Sequence, residues 1–281
     1  LILLIISLII LIENFIIRSA NSINIVSTGF TDAYHGWKEI LRKNSTLLTN
    51  YPNGINNEFV KSMQKSSNRK NKTDDKYHVI YAGNLGEGQD LLSLITAIKK
   101  DKNTISKMLE NQIKFDIYGA GSQLDSIKEM IEGDIIEKGE NLLSKVIDYK
   151  GFIPRDNIKN VYETADCLML QLGSYHSLSM VIPTKFIEYS TTVLPILYGA
   201  KGFTNDFISK IQGTIPFKQY DPNSFYNAIV KSKQTIVEIK ARNSFIEKFD
   251  TDTIYDMYAR HILGKESSPI QNWVEHINKK N

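Results

Sequence analysis

Cys167-Leu-Met-Leu-Gln171, Gly173-Ser-Tyr-His-Ser-Leu-Ser-Met180, Val181-Ile-Pro-Thr-Lys-Phe-Ile-Glu188-Tyr189 and Val193-Leu-Pro-Ile-Leu-Tyr198 follow one another almost without a gap. They read as a strand, a loop, a helix start and a second strand. Two strands joined through a helix pair in parallel, by a right-handed crossover. A loop that opens a helix gathers free backbone N–H groups at one point, which suits a phosphate. Lys185 and Glu188 are three apart on that helix and face one ligand together. Lys185 would meet a diphosphate, and Glu188 would accept hydrogen bonds from ribose hydroxyls. The competing reading is a helix start with a surface ion pair. From this stretch alone the two readings stand level.

The same alternation extends on both sides. Tyr77-His-Val-Ile-Tyr-Ala82 reads as a strand, and Leu91, Leu92, Leu94, Ile95 and Ile98 as the apolar face of a helix. Lys114–Tyr118 and Val146–Tyr149 are strands. Leu124, Ile127, Met130 and Ile131 mark one helix between them, and Ile158, Val161, Tyr162 and Ala165 mark another after the second. Asp221-Pro222 starts a helix that runs to about Lys233. The expected class is α/β, a doubly wound parallel sheet with helices on both faces. Residues 1–60 offer a helix, a short strand Ile23-Asn-Ile-Val26, a helix from Tyr34 to Leu41, the run Ser45–Thr49 and a turn at Pro52-Asn-Gly54. That is too little for a complete α/β domain. Residues 61–76 are polar, with six basic and two acidic side chains, and read as a solvated linker. A basic patch facing anionic lipid is the sharper reading of them. No internal repeat is visible.

At 281 residues the chain holds one large domain or two smaller ones. Hydrophobic content of 42% and charged content of 23% are ordinary for a globular protein, and a net charge of +3 gives no reason to expect nucleic acid. A lone cysteine, Cys167, excludes an internal disulfide and a cysteine-rich metal site, and its apolar neighbours mark a buried thiol. Leu1 to Ile12 is apolar but short of a ~20-residue span. No basic flank precedes it and no small-residue cleavage site follows, which argues against a signal peptide. It reads as a buried or membrane-apposed helix continuing to Arg18, and as the start of a fragment that begins inside a domain. His35, His78, His261 and His276 lack ligand spacing, and His176 lies in the loop as a solvated side chain. Asp250-Thr-Asp252 has the spelling of a metal-binding D-x-D motif, but it precedes the helical run Ile254–Ile262, so an N-cap is expected and no metal. Trp273, with Ile270, Val274 and Ile277, makes an amphipathic last helix that either packs on the N-terminal part, the preferred reading, or lies on a membrane.

In open parallel sheets ligands sit beyond the carboxyl ends of the strands. Here those ends share glycine turns: Gly83-Asn-Leu-Gly86-Glu-Gly88, Gly119-Ala-Gly121-Ser122 and Lys150-Gly-Phe-Ile-Pro154. A nicotinamide or flavin enzyme is disfavoured. The first turn reverses the G-x-G-x-x-G spacing, and the second has Leu124 where its third glycine belongs.

The ordered set Gly-Asn-Leu-Gly, Tyr-Gly-Ala-Gly-Ser, Gly-Phe-Ile-Pro, Ala165-Asp166 and Pro-Thr-Lys-Phe-Ile-Glu-Tyr resembles glycosyltransferase family 4, in its bacterial surface-polysaccharide and O-antigen branch. Glu13–Ala20, Ile25-Val-Ser27 and Tyr51-Pro-Asn-Gly-Ile55 resemble the family's closing segment of its N-terminal domain, so the likeness covers about residues 13–262. It implies a GT-B architecture of two Rossmann-like domains. Residues 1–60 would be a remnant of the acceptor-binding domain, 61–76 the linker, 77–245 the nucleotide-sugar domain, and 246–281 helices packing back on the N-terminal domain.

The implied reaction is transfer of a sugar, with retention, from a nucleotide-diphosphate sugar to a lipid-linked or growing surface glycan. It needs no cofactor or metal, and it takes place in the cytoplasm at the inner face of the plasma membrane. Carried over by position, donor contacts fall on Gly83, Asn84, Gly86, Gly119, Gly121, Phe152, Ile153, Pro183, Thr184, Lys185 and Glu188. Glu188 matches the second carboxylate of an E-x7-E motif, and Phe152 and Ile153 sit where the base is read, which favours uracil. The sequence departs from the pattern at Met180, where the first carboxylate belongs, and at Asn84 and Gln89, where a basic pair is usual. Two alternatives stand beside this one: a GT-B-fold nucleotide-sugar epimerase, and a non-catalytic nucleotide-sugar-binding remnant.

Overall fold

The computed structural model describes residues 2–30, 47–65, 74–133 and 142–264. Six parallel strands form the main sheet: β3 (Tyr77–Asn84), β4 (Ile113–Ala120), β5 (Ile147–Gly151), β6 (Cys167–Gln171), β7 (Ile196–Gly199) and β8 (Thr214–Pro216). Their order across the sheet is β5-β4-β3-β6-β7-β8. The chain winds outward from β3 in one direction, then returns and winds outward from β6 in the other. This is the doubly wound order, and its direction reverses between β3 and β6.

Alternation along β3 divides two cores. Val79 and Tyr81 face one side, with α3 (Leu91–Lys100), α4 (Lys102–Glu110), α5 (Leu124–Glu132) and α9 (Pro222–Ser232). Ile80 and Ala82 face the other, with α6 (Ile158–Glu163), α7 (Thr184–Ser190), α8 (Gly202–Ser209) and α10 (Ile239–Glu247). Strands buried on both faces read as continuous apolar runs, and β6 is buried at every position. Cys167 lies inside this layer, where burial pushes its thiol up to about 12.

Local signals account for several element ends. Asp221 caps α9 by accepting from Ser224 N, with Pro222 in the first turn. Asp250 caps α11 (Thr251–Ile262) by accepting from Thr253 N, so the D-x-D spelling serves the helix start as expected. The start of the expected linker is helical. Helix α2 (Asn57–Lys65) runs into it, and Val60 and Met63 are buried in the second core. Residues 66–73, the expected helix from Tyr34 to Leu41 and the last helix around Trp273 lie outside the described residues.

Near the start, β1 (Ser22–Ile25) pairs in parallel with β2 (Leu47–Asn50) as a separate two-stranded sheet. Helix α11 packs beside it. The Tyr51 ring lies tilted against that of Tyr258 with centroids 4.9 Å apart, Ile254 is buried, and Ile55 forms a parallel bridge with Asp250. Helix α1 (Ile2–Ser19) is one 18-residue helix with a mean hydropathy of 2.3, and Ile17 is its one buried residue. The expectation of a buried element is not met along most of its length: Leu3 is 80% exposed and Phe15 71%.

Candidate functional site

The crevice begins where β3 and β6 part. Their pairing is confined to Val79 with Cys167 and Ile80 with Leu168. Beyond it, the N–H of Ala82 would face a gap, and the buried Tyr189 hydroxyl of α7 accepts its hydrogen bond at 3.1 Å. This bond ties α7 to the carboxyl end of β3. Conformation fixes the neighbouring turn. Gly119 has φ of +140°, and a Cβ there would stand 1.8 Å from Gly83 O, so glycine alone fits. Tyr149 donates to Gly119 O at 2.9 Å. The turn after β3 is held from across the crevice, since the buried Gln171 amide donates to Gln89 O at 3.1 Å and Asp90 O at 2.8 Å.

A cavity of about 360 Å³ opens beyond these ends. Of the residues singled out in the sequence, it is lined by Gly83, Asn84, Gly119, Phe152, Ile153, Lys185 and Glu188. Four others do not line it. Gly86 and Gly121 shape the turn walls, where a Cβ on Gly121 would meet Leu85 backbone at 2.5 Å. Pro183 is buried as the N-cap of α7, and Thr184 is exposed. The cavity adds Ala82, Tyr118, Ala120, Arg155 and Ile158, which the sequence reading missed. Ala82, Tyr118 and Ala120 follow from strand register alone, since Gly83 sits opposite Gly119 in the sheet. Arg155 stands in a short 3-10 turn after β5 and carries no spacing signal.

Glu188 is 7% exposed, yet it borders the cavity. Both hydrogen bonds it receives among the described residues end on Oε1. The buried Tyr162 hydroxyl donates one, and Lys185 Nζ donates the other at 3.2 Å. The ion pair of the simpler sequence reading therefore exists, and it forms inside the cavity. Tyr162 is held neutral by burial, which raises its pKa well above the ordinary value. Lys185 also lies 5.9 Å from the centre of the Tyr189 ring.

Met180 is buried away from this cavity, and its carbonyl accepts a hydrogen bond from Ser27 Oγ of the N-terminal segment. A smaller cavity of about 230 Å³ lies beyond β6 and β7, with His176 and Lys201 in its lining. His78 is not isolated. Its Nδ1 lies 2.5 Å from Asp116 Oδ2 and its Nε2 2.8 Å from Asp74 Oδ1. The bond to Asp116 raises its pKa. Sequence spacing could not show this, because Asp116 reaches His78 across neighbouring strands.

A family model described as Glycosyl transferases group 1 matches residues 62–248. No curated protein matches the chain. Among solved structures, HepE from Anabaena, crystallised with UDP and glucose, superposes with a TM-score of 0.61 at 14% identity, covering 89% of this chain and 64% of that one. Sucrose-phosphate synthase from Thermosynechococcus elongatus gives 0.63 at 15% identity, with 91% and 62% covered. A glycosyltransferase from Rickettsia africae gives 0.58 at 14%, with 88% and 64% covered. The chain thus spans just under two thirds of the length of each of these. At such identities the likeness is one of fold, and the shared fold is the GT-B architecture.

Proposed function

We propose that this chain, which belongs to the glycosyl transferases group 1 family, carries the donor-binding part of a retaining glycosyltransferase that uses a nucleotide-diphosphate sugar. One observation carries the reading: the ends of β3, β4 and β5 and the first turns of α7 converge on one cavity that holds Glu188 and Lys185. This cavity lies beside the point where strand order reverses, the usual seat of a nucleotide in such sheets.

In this reading the base lies against Phe152 and Ile153, and the ribose hydroxyls donate to Glu188. The diphosphate rests on the backbone of the glycine turns and the start of α7, with Lys185 and Arg155 as the cations at the cavity. Transfer breaks the bond between the anomeric carbon and the diphosphate oxygen. The leaving diphosphate keeps the electron pair, and the acceptor hydroxyl forms the new bond and loses its proton. Neutralising the departing charge is the contribution of the cavity. The donor is a UDP-sugar and the acceptor a lipid-linked or growing surface glycan at the cytoplasmic face of the membrane, which α1 is apolar enough to meet. Residues 77–245 form the donor domain and 1–60 lie on the acceptor side, joined through α2 and the residues that follow it. The chain after residue 245 returns to the acceptor side, a reading supported by the contact of Tyr258 in α11 with Tyr51.

The burial of Met180 in place of a cavity carboxylate favours a second reading, a binding subunit without transfer activity. Thermal denaturation with UDP, GDP and ADP tests the first part. UDP is expected to raise the midpoint, and Glu188→Ala to remove that rise. No shift with any of the three defeats the nucleotide reading. Release of UDP from a UDP-sugar in the presence of glycan acceptor separates transfer from mere binding.

A further inference from the structure

We infer that Tyr162 is a positioning residue that clamps one oxygen of Glu188 and turns the other toward the ribose, so that it sets the preference of this cavity for a nucleotide with free ribose hydroxyls. The inference rests on the proposed nucleotide site and goes beyond it, because Tyr162 does not line the cavity.

The geometry is specific. Tyr162 sits on α6 and Glu188 on α7, so their bond joins two elements that flank the crevice. Tyr162 is 2% exposed and its ring meets that of Tyr189 edge-on, with centroids 5.5 Å apart. The phenol therefore has little freedom to swing away. Its buried hydroxyl stays protonated and, among the described residues, satisfies itself by donating to Glu188. Lys185 approaches the same Oε1 from the solvent side at 3.2 Å. With both donors on one oxygen, Oε2 is left as the acceptor offered to the cavity. A ribose presents two adjacent hydroxyl donors, and a carboxylate held in one orientation receives them without first losing rotational freedom. Without the clamp, the side chain can turn and the advantage of the diol falls.

The test is a thermodynamic cycle on the full chain. Calorimetry measures the dissociation constants of UDP and 2′,3′-dideoxy-UDP for the wild type and for Tyr162→Phe, which keeps the ring and removes the hydroxyl. The wild type is expected to prefer UDP by about tenfold or more. In Tyr162→Phe most of that preference is expected to vanish, through weaker UDP binding with dideoxy-UDP affinity unchanged. An equal loss for both nucleotides means that Tyr162 merely supports the fold and overturns the inference, as does an unchanged preference. A wild type that binds neither nucleotide, or both alike, instead defeats the donor reading on which the inference rests. Lys185→Met probes the same oxygen from the other side. That variant keeps the Tyr162 bond, so it is expected to weaken both nucleotides alike and to retain the preference; loss of the preference there assigns the orienting role to Lys185 and overturns the inference even if Tyr162→Phe fails to fold.

Discussion

Gly119 and His78 show how single positions carry the site. A methyl group at Gly119 meets Gly83 O at 1.8 Å and asks an L-residue to hold φ of +140°. Gly119→Ala is therefore expected to cost about 1–3 kcal/mol, read as a lower urea midpoint, and to remove any thermal shift by UDP, because strands β3 and β4 must separate to admit the methyl. At His78 the neighbouring Asp116 raises the histidine pKa, with Asp74 on the other ring nitrogen. A group whose folded pKa lies above its unfolded value stabilises fully below the unfolded value of ~6.5, and that gain is lost as pH rises through the folded value. The thermal midpoint of the wild type should fall over that window relative to His78→Gln. A parallel pH profile in the two proteins would count against the assignment. Lys150 also reaches Asp116, at 3.8 Å, and Lys114 lies nearby in both proteins, so the difference between the two proteins is the quantity to read. Glu188 and Lys185 were legible in the sequence because helical spacing places them on one face. Tyr162 and Arg155 were not, because their relation to the cavity depends on how α6 and the turn after β5 lie against α7, which no local spacing encodes.

At the scale of elements, the weakest joint is the one that makes the crevice. Strands β3 and β6 share a single two-residue register, and the Tyr189 hydroxyl takes up the Ala82 N–H that pairing leaves behind. Tyr189→Phe is expected to lower stability by about 1–3 kcal/mol, since a buried amide loses its partner with no water to replace it. Denaturant unfolding measures this, and a change below about 0.5 kcal/mol would mean that the crevice admits water at Ala82. The strands and helices from Tyr77 to Tyr198 were largely readable, because strands buried on both faces are continuous apolar runs and their helices show clear 3.6-residue faces. The elements missed are those with short or thin apolar faces. Helix α4 buries Ile105 and Met108 among polar neighbours, and β8 is three residues long. Helix α2 hides Val60 and Met63 in a sequence whose charge reads as linker.

On the scale of the whole molecule, the described residues leave a surface that their own packing does not explain. Helix α1 is apolar on nearly every side over its first three turns, with Ile2 at 75%, Leu8 at 57% and Leu11 at 66% exposure. So large an exposed apolar surface marks a contact with a partner or a membrane. Eighteen residues of helix make ~27 Å, close to the ~30 Å of a bilayer core. For an enzyme proposed to act on lipid-linked glycans, lipid is the occupant that fits both facts. Vesicle flotation of the full chain tests it. Binding is expected to survive high salt, because burial of apolar surface is not screened, and to be lost in Ile5→Asp/Ile9→Asp, which places two charges on the exposed surface. Binding that salt abolishes and the double substitution spares would transfer the contact to the basic residues of 61–76. Self-association without vesicles, removed by the same substitutions, would instead make a second copy of the chain the partner. The three results differ in their dependence on salt and on lipid, so one series of flotation and light-scattering measurements decides what α1 touches.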